Sequence, residues 1–200
     1  MIVELTDFMR MILRSKKSSF KTMLTTSETW ITSPLAKIYG IPDFKDKMPY
    51  TSKPGERSGL FTLPAFVAAG SSANSTGPVH RGALIARRLL CRAPQPPPPG
   101  LDVKLPESVA GDTSTLRERL LKHATAEPCK SCHMTMDPYG LALEAFDPIG
   151  RFRTTDNTKP VDASGEILLS DKPNAMFKTG PEMFALLAES KDVHSCFIKQ

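Results

Sequence analysis

Residues 93–106 read APQPPPPGLDVKLP, and the four consecutive prolines at 96–99 dictate how this chain can be organised. A proline has no amide hydrogen to donate and its ring fixes φ, so neither a helix interior nor a central strand can run through that stretch. The segment must be extended, as a stiff polyproline spacer or a strap along a surface. Docking of a proline-recognition domain is the sharper reading, and it requires an accessible segment. The same constraint recurs elsewhere, because 18 of 200 residues are proline, against a usual level of about 5%. Long irregular connections should separate the regular elements.

Around these breaks the periodicity is helical. Leu5, Phe8, Met9, Ile12 and Leu13 recur at helical spacing near the start, as do Phe20, Met23 and Leu24, and then Leu35, Ile38 and Tyr39 ahead of Gly40. Residues 41–77 hold Pro42, Pro49, Pro54 and Pro64 with a Ser/Asn/Gly cluster, and read as a long irregular connection. Pro78 suits the first turn of a helix running to about Cys91, with Ala83, Ala86, Leu89 and Leu90 inward and Arg81, Arg87, Arg88 and Arg92 outward. Beyond the spacer, Thr115 and Glu118 form a capping box opening TLRERLLKHATA, with His123 on the apolar face beside Leu116, Leu120 and Ala124, and Pro128 ending that helix. VDASGEILL predicts a hairpin centred on Ser164 and Gly165. Thr179 and Glu182 cap a last helix bearing Met183, Leu186 and Leu187, whose spacing Val193, Cys196 and Phe197 repeat up to Gln200 without a stop signal. The expected fold class is mainly α, with proline-rich connections, a short β-hairpin and a cytochrome c-like haem segment. The expected organisation is the end of a helical domain over 1–48, a central domain over 49–156, and the start of a truncated helical domain over 157–200.

The chemistry is concentrated at Cys129-Lys130-Ser131-Cys132-His133. C-x-x-C-H is the form in which two thiols add across haem vinyl groups while the following imidazole takes the iron. Cys129 and Cys132 are the expected attachment sites of a haem c and His133 its proximal ligand. A structural zinc site is the alternative, built from His123, Cys129, Cys132 and His133, although adjacent Cys132 and His133 would strain to occupy two corners of one tetrahedron. A thioredoxin-like thiol pair lacks the surrounding βαβ pattern. For the sixth iron position the candidates are His123, His194, Met134, Met136, Met176 and Met183, or an open site.

Two D-P-x-G sequences, Asp137-Pro138-Tyr139-Gly140 and Asp147-Pro148-Ile149-Gly150, carry turn residues at favoured positions. They are expected to fold Leu141, Leu143 and Phe146 over one haem face. Arg151 and Arg153 are candidates to pair with haem propionates, since a guanidinium grips a carboxylate as a fork. Cys91 and Cys196 are a candidate disulfide, whose loop of about 105 residues would stabilise the chain by several kcal/mol in the chain-entropy picture; two free cysteines are the alternative.

Net charge sorts the remaining classes. The overall +5 divides unevenly, with 14 Lys and Arg against 6 Asp and Glu in residues 1–100, and 12 against 15 in 101–200. No basic stripe is interleaved with aromatics, so nucleic acid is not an expected partner. No apolar run reaches the roughly 18–20 residues of a spanning helix. The start lacks the order of a signal peptide.

The residues GERSGLFTLPAFVAAGSSANSTGPVHRGALIARRLLCRAPQPPPPG, TLRERLLKHATAEPCKSCHMTMDPYGLALEAFDPIGRFR and VDASGEI closely resemble the C-terminal region of large secreted bacterial proteins built from consecutive domains of unknown function. That group is common in planctomycetes and myxobacteria and is often linked to cytochrome c domains. The resemblance covers roughly residues 20–200. It implies a CxxCH segment at Cys129, Cys132 and His133, a histidine at His123 and cysteines matching Cys91 and Cys196. It also implies an export signal and an upstream cytochrome-like domain outside this chain, which would then be a fragment. The expectation is an exported, periplasmic or extracellular c-type haem protein engaged in electron transfer, with that upstream domain or a redox partner as its counterpart. A haem oxidoreductase acting on peroxide or a polymer-derived substrate, and a structural zinc module, are the alternatives.

Overall fold

The computed structural model describes the chain apart from residues 43, 45, 74, 97, 98, 101–110 and 126–128. Most of the polyproline segment, and Pro128 as a helix terminator, therefore lie outside the described residues. The architecture is mainly helical, with short antiparallel strand pairs.

The N-terminal third forms α1 (Ile2–Arg14), α2 (Phe20–Thr25), β1 (Glu28–Ile31), α3 (Ser33–Ala36) and β2 (Met48–Thr51). Helix α1 buries Phe8 and Ile12, with Leu5 and Met9 packed beside them, whereas Leu13 is 72% exposed. β1 and β2 pair antiparallel from Glu28–Thr51 to Ile31–Met48, so that Thr29 and Ile31 turn inward. A 3₁₀ turn (Leu60–Thr62) and α4 (Pro64–Ala69) follow. The expected irregular connection over 41–77 is thus corrected to a strand, a turn and a helix. Pro49 is accommodated in one half of an isolated two-stranded pair, where a missing donor faces no further strand, and Pro64 sits in the first turn of α4, where its missing N–H has no intrahelical partner to lose.

Two helices form the centre. α5 (Pro78–Leu90) buries Ile85, Ala86, Leu89 and Leu90, and α7 (Cys129–Leu141) crosses it. They meet backbone to backbone at glycines. A Cβ on Gly82 would stand 2.1 Å from the Met136 carbonyl oxygen, and one on Gly140 1.8 Å from that of Pro78. In sequence, α6 (Leu116–His123) falls between the two, opened by the capping box: Glu118 N donates to Thr115 Oγ1 at 3.1 Å and Thr115 N to Glu118 Oε2 at 2.8 Å.

The C-terminal part pairs β3 (Thr155–Asp156) with β4 (Lys159–Pro160), and β5 (Gly165–Ile167) with β6 (Ala175–Phe177). Ser164 and Gly165 are consequently not a hairpin centre. Asn157 and Thr158, both at positive φ, make the tight connection, while Asp162 Oδ1 accepts from Ser164 N and leads the chain into β5. The last helical stretch is two helices, α8 (Gly180–Ala188) and α9 (Lys191–Ile198), because Ser190 starts a second one by accepting from Val193 N. One apolar cluster draws Phe8 and Leu24, Leu63 and Leu89, and Phe184 and Val193 together, so the three sequence segments share a core.

Candidate functional site

Helix α7 begins at Cys129, and at about 100° per residue Cys129, Cys132 and His133 fall within one arc of about 100°. Met136, Asp137 and Gly140 continue that stripe toward the C-terminal end, where it is buried against α5. The site is therefore the outer end of a core-facing stripe. Both thiols are free of disulfide bonding and half-buried, as is His133.

One turn below His133, the Asp137 carboxyl faces its ring: Nδ1 lies 3.0 Å from both Oδ1 and Oδ2. The two side chains are 14% and 8% exposed. Burial pushes the Asp137 carboxyl above the usual carboxylate range, opposed by the charges of His133, His123 and Arg117. From α6, the His123 ring stands nearly perpendicular to that of His133, with centroids 5.9 Å apart.

The other sixth-position candidates stand differently. Met183 is wholly buried in the core and Met136 nearly so, while Met134 and Met176 are exposed. His194 faces the Ala188 carbonyl oxygen at 2.7 Å and packs edge-on to Phe20. His123 is thus the candidate that the fold brings to His133.

The first D-P-x-G does not form a turn. Asp137, Pro138, Tyr139 and Gly140 are helical, and the carbonyl that Pro138 leaves without its helical donor belongs to Met134, an exposed residue. Packing against Gly82 of α5 overrides the local turn preference. Leu141, Leu143 and Phe146 do not cover the CxxCH segment either: they are 2%, 0% and 1% exposed, and Leu143 and Phe146 belong to the central cluster. The second D-P-x-G is a turn, with Gly150 N donating to Asp147 O at 3.0 Å and Gly150 at positive φ.

That turn serves buried arginines. Arg81, expected outward, is completely buried and donates to the carbonyls of Val67, Leu143, Phe146 and Asp147, with Glu144 3.8 Å away. Arg57 donates to the carbonyls of Thr62 and Gly150 and lies between the rings of Tyr39 and Phe146. Arg153 donates to Glu144 O, Glu144 Oε2 and Asp156 Oδ1, so its fork is engaged within the protein, whereas Arg151 is exposed. Glu144, buried among these partners, also accepts from Thr76 at 2.6 Å. Burial raises its pKa, with Thr76, Arg81 and Arg153 pulling the other way. Cys91 and Cys196 are joined by a disulfide across 105 residues, with Cα atoms 5.5 Å apart.

The donor chemistry suits a covalently attached haem. Two free thiols share one arc with an imidazole whose Nδ1 faces a carboxyl, so that Nε2 is the nitrogen that would be left for a metal. Among the described residues, no three His, Cys, Asp or Glu side chains are grouped to hold a metal ion. Two cavities of about 10 Å³ each, large enough for one water, lie near Thr115 and near Arg57. No helix among the described residues is long and apolar enough to cross a membrane.

In the sequence the D-P-x-G pattern marks Asp137 as a turn residue and so conceals its partnership with His133. The i, i+4 spacing from His133 was the available signal. Nothing in the local pattern distinguished Arg81 or Arg57 from solvated arginines. A family model described as PSCyt3, protein of unknown function (DUF1588), matches residues 57–156, half of the chain. No curated protein and no solved structure matches it.

Proposed function

We propose that this chain, which belongs to the PSCyt3 family of unknown function, is an exported c-type haem-binding module that transfers electrons. The observation that carries the reading is the convergence of Cys129, Cys132 and His133 on one arc at the start of α7, with His133 held from behind by Asp137. The thiols of Cys129 and Cys132 would each add an S–H across a haem vinyl group, needing no oxidant, and His133 Nε2 would ligate the iron. When bound, the haem supplies a one-electron iron couple. His123, whose ring packs against that of His133, would be a second imidazole available to hold the haem. Arg151 remains available for a propionate. The disulfide between Cys91 and Cys196 supports export, since such bonds persist in oxidising compartments. An upstream cytochrome-like domain or a separate redox protein would then be the partner.

The test is periplasmic expression with a cytochrome c maturation system. The expected product keeps its haem through a denaturing gel and has a Soret band, and Cys129→Ser with Cys132→Ser abolishes the retained stain. A colourless product containing zinc would overturn the reading. A low-spin, six-coordinate spectrum lost in His123→Ala would identify the second axial ligand.

A further inference from the structure

We propose that Asp137 is the positioning residue of His133, fixing the proton of the neutral imidazole on Nδ1 and presenting the Nε2 lone pair away from the core. The tautomer follows from the chemistry of the pair. Both oxygens of Asp137 lie 3.0 Å from Nδ1, and a carboxylate can only accept, so that nitrogen must donate. The pair differs from an exposed i, i+4 contact, which would hold neither ring nor tautomer firmly. Its side chains are 14% and 8% exposed. Asp137 is itself fixed, because its helix is locked against α5 at Gly82 and Gly140. The ring orientation is thereby referred to the core rather than to the first turn that carries the thiols, which is only half-buried.

A second consequence rests on the haem reading given above. A carboxylate on Nδ1 makes an imidazole a stronger donor through Nε2, which favours the more positively charged state of a bound metal. Asp137 therefore lowers the reduction potential of iron held by His133.

The first experiment needs no haem. In the haem-free 200-residue chain with ¹⁵N-labelled histidine, long-range proton–nitrogen correlation above the imidazole titration range should place the His133 proton on Nδ1. Asp137→Leu should move the population toward Nε2–H. Asp137→Asn, which keeps a neutral acceptor and serves if the leucine variant does not fold, should keep the Nδ1 proton but weaken its hydrogen-bond shift. A proton on Nε2 in the unaltered chain, or spectra unchanged in both variants, would overturn the assignment. In haem-loaded protein, Asp137→Asn should raise the midpoint potential, and an unchanged potential with haem attached would overturn the second consequence. If the unaltered chain takes up no haem, the haem reading falls while the tautomer experiment still decides the role of Asp137.

Discussion

Arg81 shows how a single residue can organise a region that local sequence leaves undefined. Its guanidinium satisfies four carbonyls from two stretches of chain far apart in sequence, that of Val67 and those of Leu143, Phe146 and Asp147. Desolvation lowers its pKa and Glu144 opposes that shift; it remains charged at neutral pH. Removing one partner of a buried charged pair is far costlier than removing a surface ion pair, typically about 3–5 kcal/mol. Arg81→Ala should therefore destabilise the chain by at least that much, read from chemical denaturation. Arg81→Lys should recover little, because one ammonium cannot address carbonyls arranged around a planar fork. A loss under about 1 kcal/mol in the alanine variant would show that the carbonyls find other partners. Asp137 is the corresponding residue at the candidate site, and both were hidden for the same reason. Polar side chains become structural through partners distant in sequence, or through a helix that local turn signals argue against.

Elements were legible where their termini carry their own chemistry. The capping box of α6 and the Thr179 cap of α8 were readable because a side chain and an amide three residues on are local partners. Lys159, and then the Thr115 amide, hold the Glu118 carboxyl below the usual range. A depressed folded-state pKa contributes stability above the unfolded value near 4.5 that is lost as pH falls through the folded value. Denaturation midpoints measured from pH 6 down to pH 3 should accordingly fall less steeply in Glu118→Gln than in the unaltered chain; equal slopes would remove the ion pair from the account. The D-P-Y-G segment misled because the α5–α7 crossing outweighs a turn preference. Gly140→Ala and Gly82→Ala should each destabilise the chain by about 1–3 kcal/mol or more, since the added Cβ meets backbone that cannot move aside. Gly55→Ala, where the Cβ would meet open space and only the positive φ is strained, should be the mildest of the three, at about 1 kcal/mol. A reversed order in thermal melts would contradict the crossing geometry.

At the scale of the whole molecule, the disulfide between Cys91 and Cys196 ties the end of α5 to α9, beside a core that draws residues from α1, α2, α5, α8 and α9 together. Closing a loop of that length restricts the unfolded chain, so Cys91→Ser with Cys196→Ser should lower stability by about 2–5 kcal/mol. Thiol titration of the denatured, unreduced, haem-free chain should find two groups, Cys129 and Cys132, and four would exclude the bridge. The sequence by itself determined the mainly helical class, the capped ends of α6 and α8, and the CxxCH cluster, because each rests on partners within about one helical turn. Only the tertiary structure decided that D-P-Y-G is helix, that Arg81 lies inside, that the 41–77 stretch is ordered into elements, and that His123 meets His133. Those outcomes depend on close backbone approach and on buried polar groups finding partners tens of residues away, which no local pattern encodes.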